Sequence, residues 1–125
     1  MSEKKKILVG EDSSIIINLT KNVLAFENYS IKAARNGKEV LDMLAKEDFD
    51  LLLLDITMPQ MDGIQCIKEI RSLSEPKKNK IPIIAISGNA GNYTPEEYRK
   101  FGFDEFIQKP LNYDLVLATV KKILN

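Results

Sequence analysis

Four consecutive leucines, Leu51 to Leu54, run directly into Asp55 near the middle of the chain. A strand with one face on solvent alternates apolar and polar side chains, whereas a central strand of a parallel sheet is covered on both faces and is apolar throughout. We therefore predict that Leu51–Asp55 is such a central strand. A sheet of this kind needs a layer of helices on each face, and that requirement restricts the fold more than any other feature.

The rest of the chain alternates short apolar runs with segments of helical periodicity. Five strand–helix units joined by right-handed crossovers give a three-layer α/β fold with a doubly wound parallel sheet. The length of 125 residues fits a single domain, which we expect to span 1–125. The predicted strands are Lys6–Gly10, Ser30–Ala34, Leu51–Asp55, Ile81–Ser87 and Glu105–Gln108. The predicted helices are Ser13–Glu27, Lys38–Lys46, Ile64–Leu73, Pro95–Phe101 and Leu111–Leu124, with 74–80 as a solvated connection.

Two of the predicted helices carry apolar residues on more than one side. The first is predicted to bury Ile16, Leu19, Thr20 and Val23. Ile15 and Ile17 then lie either at a partly buried rim or on a hydrophobic docking face for a partner. The last helix is predicted to bury Val116, Val120 and Ile123. Three further apolar residues lie outside that stripe and are candidates for a partner or dimer face. They are Tyr113, Leu117 and Leu124.

The composition excludes several classes of function. The chain contains no histidine, which excludes Ser–His–Asp and Cys–His catalysis, histidine-ligated zinc and a phosphohistidine of its own. Its 18 basic and 18 acidic residues balance, so the net charge favours neither nucleic acid nor an anionic membrane as a partner. No apolar run approaches the roughly 20 residues of a membrane span. The single cysteine, Cys66, cannot form an internal disulfide, which fits a reducing, cytoplasmic location.

Polar residues stand at the ends of four predicted strands. They are Glu11 and Asp12 after the first strand, Asp55 in the third, Ser87 in the fourth and Lys109 after the fifth. Ligands of doubly wound sheets bind at the carboxyl edge of the strands, near the point where the strand order reverses. We therefore expect three carboxylates, a hydroxyl and an ammonium to meet at this edge.

Three carboxylates in one place repel one another, because two unit charges ~4 Å apart cost about 4 kcal/mol at an effective dielectric of about 20. Either a proton is taken up or a cation binds. Hard oxygen ligands with open positions suit Mg²⁺, which commonly pairs with phosphate oxygens. A metal, a lysine and a hydroxyl around one carboxylate are what phosphoryl transfer onto that carboxylate requires. Asp55 is the candidate nucleophile, which would form an aspartyl phosphate.

The turn after the first strand argues against nucleotide binding. Dinucleotide-binding and P-loop proteins place several glycines there, so that backbone N–H groups hold phosphate. In this chain Gly10 is followed by Glu11 and Asp12, and two acids beside one glycine repel phosphate unless a metal intervenes.

Five segments resemble the receiver domain of two-component response regulators, in order and with similar spacing. They are Ile7–Asp12 (ILVGED), Asn36–Leu41 (NGKEVL), Leu53–Gly63 (LLDITMPQMDG), Pro82–Ser87 (PIIAIS) and Gly102–Pro110 (GFDEFIQKP). The resemblance implies a flavodoxin-like sheet with the strand order 2-1-3-4-5. It also implies a signalling switch rather than an ordinary enzyme, since a receiver catalyses only its own phosphorylation and dephosphorylation.

The resemblance assigns a role to each matching residue. Asp55 corresponds to the phosphoacceptor. A Mg²⁺ (or Mn²⁺) site would be formed by Glu11, Asp12, Asp55 and the backbone carbonyl of Thr57. Lys109 would contact the phosphoryl group and the Ser87 hydroxyl would turn toward it. Phe106 corresponds to the aromatic switch residue that follows the hydroxyl, although packing in the core would also account for a phenylalanine there.

The chain departs from the family pattern at several positions. Gly10 stands where an apolar residue is usual, so the first strand is expected to end loosely. Glu11 replaces the commoner Asp, a variant that is frequent in receivers of hybrid kinases. Thr57 and Asn89 occupy positions where the family tunes the lifetime of the phosphoryl group, so that lifetime stays open.

With no histidine of its own, the chain must receive the phosphoryl group from a histidine kinase, a histidine phosphotransfer protein or a small phosphodonor. Phosphorylation is expected to draw Ser87 inward, to turn Phe106 and to reshape the face that binds a downstream protein target. We expect no direct contact with nucleic acid, no membrane insertion, and a monomer or weak dimer.

Three alternatives compete with this interpretation. A haloacid-dehalogenase-like phosphatase also forms an aspartyl phosphate at a strand end, but Thr57 stands where its second Asp should act as general acid. A pseudo-receiver would bind partners without phosphorylation, although Asp12, Asp55, Ser87 and Lys109 are all present. A doubly wound nucleotide binder is disfavoured by the first turn.

Overall fold

A computed structural model of the chain, which describes residues 4–88 and 93–125, contains a parallel five-stranded sheet in the order β2-β1-β3-β4-β5. The strands are β1 (Lys6–Gly10), β2 (Ser30–Ala34), β3 (Leu51–Asp55), β4 (Ile83–Ser87) and β5 (Glu105–Gln108). The helices within the described residues are α1 (Ser14–Phe26), α2 (Gly37–Lys46), α3 (Gly63–Arg71), α4 (Pro76–Asn79), α5 (Pro95–Phe101) and α6 (Tyr113–Leu124). The predicted fold class and strand order are confirmed.

The central strand β3 separates two apolar cores. Successive side chains of a strand point to opposite faces, so Leu52 and Leu54 enter the core with residues of α2, α3 and α5. Leu51 and Leu53 enter the core with residues of α1 and α6. All five residues of β3 are buried, as the unbroken run of leucines predicts. Among the described helices, none combines the length and the apolar character that a bilayer span requires.

The segment between α3 and β4 differs from the sequence expectation. Instead of an unstructured connection, residues 74–80 contain the short helix α4, with Pro76 in its first turn. Proline suits that position because its φ is already helical and no N–H is needed there. β4 begins at Ile83 rather than Ile81, since Pro82 has no N–H to donate to the ladder.

The buried face of α1 is rotated from the predicted one. Ile17, Thr20 and Leu24 are the buried residues, whereas Leu19 is 49% exposed. The predicted stripe was wrong by about one position, because the run from Ile15 to Ile17 offers no unique apolar face. Ile17 belongs to the core, so of these two isoleucines only Ile15, which is 74% exposed, is available for docking.

α6 packs on α1 through Tyr113, whose hydroxyl lies 3.0 Å from the hydroxyl of Thr20. Together with Leu117 and Leu124, this tyrosine is half-buried against the core that α1 and α6 cover. Their packing against the core accounts for these three residues, and a role in a partner or dimer face stays a prediction. Leu115 is the large apolar side chain that α6 exposes.

β1 ends in full register rather than loosely. Gly10 pairs with Ala34 of β2 and with Leu54 of β3. A Cβ on Gly10 would lie 2.9 Å from Val40 Cγ2 and 3.0 Å from Leu54 Cδ1, closer than carbon atoms pack. Glycine is therefore a packing requirement here, because it lets α2 approach the ends of the central strands.

One guanidinium group joins three parts of the fold. Arg71, at the end of α3, donates to the carbonyl oxygens of Asn79 and Ile81 at 2.9 and 2.7 Å. It also donates to the carbonyl oxygen of Gly102 at 2.6 Å, and Gly102 closes α5 in the left-handed conformation with φ of 112°. Arg71 thereby fixes the end of α3 to the start of β4 and to the end of α5.

Replacing Arg71 by methionine should lower the free energy of unfolding by about 3 kcal/mol, because three partly buried carbonyl groups lose a charged donor. The matched control is Arg99→Met, since Arg99 is exposed on α5, and it should change stability by no more than about 0.5 kcal/mol. Urea denaturation followed by circular dichroism measures both variants. An Arg71→Met variant as stable as the unsubstituted chain would contradict the assigned role.

Candidate functional site

Two neighbouring strands carry the acidic residues to one edge of the sheet. Gly10 pairs with Leu54 in the ladder between β1 and β3, so the residues that follow, Glu11 and Asp55, lie side by side. Each of these two acids is 2% exposed, whereas Asp12 reaches solvent. One carboxylate oxygen from each of the three acids lies within 4.8 Å of the others. The structure thus brings together the three acids that the sequence singles out.

Lys109 supplies a positive charge between two of the acids. Its Nζ lies 3.0 Å from Asp55 Oδ2 and 3.1 Å from Glu11 Oε1. The backbone N–H of Lys109 donates to the Ser87 carbonyl oxygen at 2.7 Å, which extends the pairing of β5 with β4. Burial acts to lower the pKa of this ammonium, but the hydrogen bond and charge of Asp55, and then those of Glu11, raise the pKa above its usual value. Lys109 is therefore a protonated partner for both acids.

The pKa of Glu11 is raised from 4.5 to about 7. Burial of the carboxyl group is the main cause, and the charge of Asp55 adds to it. The backbone N–H of Ser13, 3.1 Å from Glu11 Oε2, and the charge of Lys109 act against the shift. Three acids face one lysine here, so negative charge is in excess at this site. Such an oxygen-only set of donors, open to solvent at Asp12, fits Mg²⁺.

Both carboxylate oxygens of Asp55 are held in place. Oδ2 faces Lys109, and Oδ1 accepts a hydrogen bond from the backbone N–H of Thr57 at 3.0 Å. Gly63, the first residue of α3, packs against the same turn, and its N–H donates to the Ile56 carbonyl oxygen at 2.8 Å. A Cβ on Gly63 would lie 2.5 Å from the Asp55 carbonyl oxygen. Only glycine therefore fits where α3 meets the end of β3.

Ser87 and Phe106 lie further along the sheet, toward β5. Ser87 ends β4, is 5% exposed, and pairs in register with Gln108. Phe106 is 37% exposed and stacks on the Tyr98 ring, with centroids 4.9 Å apart and ring planes at 18°. Phe106 is therefore not a core residue but an outward ring that leans on α5. Asn89, the other position considered for phosphoryl lifetime, lies outside the described residues.

One charged residue at this edge was missed by sequence reasoning. Arg35 follows β2 and donates from Nη2 to the Ser14 hydroxyl at 3.0 Å and from Nη1 to the Asp12 carbonyl oxygen at 3.4 Å. Its signal in the sequence is its place directly after Ala34, the last residue of β2. Treating the end of β2 like the ends of the other four strands would have found it.

Comparison with known proteins agrees with this geometry. The family model described as the response regulator receiver domain matches residues 7–121. The hybrid signal transduction histidine kinase B of Dictyostelium discoideum is 33% identical over 99% of the chain, and the transcriptional regulatory protein YxdJ of Bacillus subtilis is 37% identical over 93%. A solved structure of the chemotaxis protein CheY4 of Vibrio cholerae has a TM-score of 0.87 and 26% identity, and the match covers 97% of this chain and 99% of that one.

The two curated relatives are longer than the matched region. The chain spans 7% of the length of the Dictyostelium kinase and 48% of the length of YxdJ. The similarity therefore concerns one part of each relative.

The raised pKa of Glu11 predicts a pH dependence of stability when no divalent metal is present. Because the folded chain keeps a proton on Glu11 that the unfolded chain has lost, this contribution to stability is full below pH 4.5 and is lost as the pH rises to about 7. The free energy of unfolding should therefore fall over this range. Urea denaturation in EDTA at several pH values measures it.

Glu11→Gln is the control for this prediction, since the amide does not titrate. The difference between the two pH profiles isolates the contribution of Glu11 from that of other carboxyl groups. If Glu11→Gln loses stability over the same range as steeply as the unsubstituted chain, the raised pKa is refuted.

Proposed function

The chain belongs to the family of response regulator receiver domains, and on that basis we propose that it is a phosphorylation-dependent signalling switch. The match confirms the resemblance seen in the sequence. We assign the role of phosphoacceptor to Asp55, with a histidine kinase or a histidine phosphotransfer protein as donor. The observation that supports this most strongly is the buried Asp55 carboxylate, which Lys109 contacts at 3.0 Å beside two further acids.

The proposed transfer is a displacement at phosphorus by a carboxylate oxygen of Asp55. The new O–P bond forms as the bond from phosphorus to the donor's imidazole nitrogen breaks, and the bonding electron pair stays on that nitrogen. Negative charge spreads over the phosphoryl oxygens during this step. The Lys109 ammonium and the backbone N–H of Thr57 already lie at the Asp55 carboxylate, so both are close to the phosphoryl group that this carboxylate would accept and can stabilise its charge.

Mg²⁺ (or Mn²⁺) would be held by the carboxylates of Glu11, Asp12 and Asp55 and by the backbone carbonyl of Thr57. When bound, such a cation neutralises charge on the transferring phosphoryl group. Three observations support the assignment. The acids lie within 4.8 Å of one another, Asp12 is open to solvent, and the ammonium of Lys109 contacts only Glu11 and Asp55 among the three acids.

We assign the response to phosphorylation to Ser87 and Phe106. A phosphoryl group on Asp55 draws the Ser87 hydroxyl toward it, and Phe106 turns into the space that Ser87 leaves. Because Phe106 starts from an outward position stacked on Tyr98, its inward turn breaks a contact with α5. The surface formed by α5, β5 and α6 then changes, and a downstream protein target reads the change.

α1 presents an exposed apolar face that we assign to the phosphodonor. Ile15, Leu19 and Phe26 are 74%, 49% and 91% exposed. Their spacing of i, i+4 and i+11 places them on one side of the helix. Ile15 lies in the first turn of α1, close in sequence to Asp12, so a donor packed on this face comes next to the acidic site.

The proposal covers residues 1–125 as one receiver domain that acts in the cytoplasm as a monomer or weak dimer. Its chemistry is limited to its own phosphorylation and dephosphorylation. A phosphatase of the haloacid-dehalogenase type is not supported, because Thr57 stands two residues after Asp55, where that mechanism needs an acidic side chain. Neither nucleic acid nor a membrane is proposed as a direct partner.

Incubation with acetyl phosphate and Mg²⁺ should add one phosphoryl group to each chain, which intact-mass spectrometry detects. Asp55→Asn should abolish the adduct, since a carboxamide is not a competent nucleophile here. The matched control is Asp42→Asn, an exposed substitution on α2, which should be phosphorylated like the unsubstituted chain. An adduct that forms in Asp55→Asn at unchanged yield means that another residue is the acceptor.

Ile15→Ser should slow transfer from a phosphorylated histidine phosphotransfer protein about tenfold, because the donor loses an apolar contact on α1. The rate with acetyl phosphate should not change, since a small phosphodonor needs no docking face. Leu115→Ser removes a comparably exposed side chain from α6 and serves as the control. Equal slowing with both donors would be evidence against a docking role for α1.

A further inference from the structure

Arg35 lies beside the acidic site and takes no part in the proposed chemistry. It follows Ala34, whose carbonyl oxygen accepts a hydrogen bond from the backbone N–H of Glu11 at 2.9 Å. This bond brings the loop after β2 against the loop after β1. The guanidinium crosses from one loop to the other, with Nη2 3.0 Å from Ser14 Oγ and Nη1 3.4 Å from the Asp12 carbonyl oxygen.

The backbone of Arg35 is itself fixed by the start of α2. Its N–H donates to Glu39 Oε1 at 2.9 Å, and the N–H of Glu39 donates to Asn36 Oδ1 at 2.8 Å. Such a reciprocal pair is a variant of the capping box, with the glutamate reaching one residue further back. Gly37 adds a bond from its N–H to the Met61 carbonyl oxygen at 3.2 Å. The backbone from which the Arg35 side chain extends is therefore held by hydrogen bonds.

Asp12 is the acid of the site whose backbone accepts a hydrogen bond from this guanidinium. Glu11 and Asp55 share Lys109, and each also accepts a backbone N–H. The Asp12 side chain is exposed, and within residues 4–88 and 93–125 it forms no ion pair. Arg35 bonds to the backbone carbonyl of Asp12 instead. The Arg35 guanidinium thus contacts the backbone of Asp12 and leaves the Asp12 carboxylate available to bind a metal ion.

We propose that Arg35 is a positioning residue of the metal site. It fixes the loop after β1 so that the Asp12 carboxylate meets the carboxylates of Glu11 and Asp55. The inference rests on the proposed function, because it concerns the Mg²⁺ site assigned there. Replacement of a residue that orients a metal ligand without touching the metal commonly lowers the metal affinity by tenfold or more.

The charge of Arg35 and its hydrogen bonds have opposite effects on the affinity of the site for a divalent metal. A cation close to a divalent metal repels it, so removal of the charge alone strengthens metal binding. Loss of the hydrogen bonds frees the loop and weakens metal binding. The sign of the change in affinity therefore separates a positioning role from a purely electrostatic one.

Titration calorimetry of the full chain with MgCl₂ measures the affinity directly, with no phosphodonor present. Arg35→Gln should weaken Mg²⁺ binding about tenfold. Ser14→Ala removes one acceptor of the guanidinium without a change in charge and should weaken binding to a smaller extent. Lys38→Gln removes an exposed charge at the start of α2 and is the control for charge, with an affinity that is unchanged or higher.

An Arg35→Gln variant that binds Mg²⁺ as tightly as the unsubstituted chain, or more tightly, overturns the inference. Thermal unfolding in EDTA accompanies each titration. Arg35→Gln could bind Mg²⁺ more weakly and also unfold at a lower temperature, while Ser14→Ala binds Mg²⁺ normally. That combination would reflect a general loss of structure, and it also overturns the inference. If the unsubstituted chain binds no Mg²⁺, the proposed metal site fails and this inference fails with it. If the unsubstituted chain and all the variants bind Mg²⁺ equally well, the proposed metal site stands and only the role of Arg35 is refuted.

Discussion

The site depends on an imbalance of charge between three carboxylates and one ammonium. Like charges ~4 Å apart repel by about 4 kcal/mol at an effective dielectric of about 20, and the oxygens of Glu11, Asp12 and Asp55 lie within 4.8 Å of one another. Lys109 contacts two of these acids, so one ammonium faces three carboxylates. Burial, with a further contribution from the charge of Asp55, raises the pKa of Glu11. The excess of negative charge suits the edge to a divalent cation.

The parallel sheet imposes this imbalance. All its strands end at the same edge, so the acids that follow β1 and end β3 meet there although they are far apart in sequence. Burial of β3 on both faces leaves Asp55 as the polar group at the end of an apolar strand. The absence of a side chain at Gly10 and Gly63 lets α2 and α3 close around that end. The fold thus holds together acidic side chains that would otherwise move apart because of their mutual repulsion.

Part of this arrangement could be predicted from the sequence. Asp55 and Ser87 interrupt apolar runs, and a parallel topology brings such interruptions together. The buried face of α1 could not be predicted, because Ile15 and Ile17 are chemically alike and the choice between them depends on contacts with α6, remote in the chain. The outward position of Phe106 likewise depends on a stacking partner in another element. The role proposed for Arg35 depends on two acceptors that precede it by some twenty residues, Asp12 in the loop after β1 and Ser14 at the start of α1.

The bonds from Arg71 hold one end of α5. The carbonyl oxygen of Gly102, which closes that helix, accepts two hydrogen bonds from the guanidinium, at 2.6 and 3.1 Å. The capping box at the opposite end is completed within the helix itself. α5 is therefore tied to the rest of the fold at Gly102, whereas its amino end is capped by its own residues. In the response proposed for phosphorylation, loss of the stack between Phe106 and Tyr98 would release α5 more readily at Pro95 than at Gly102.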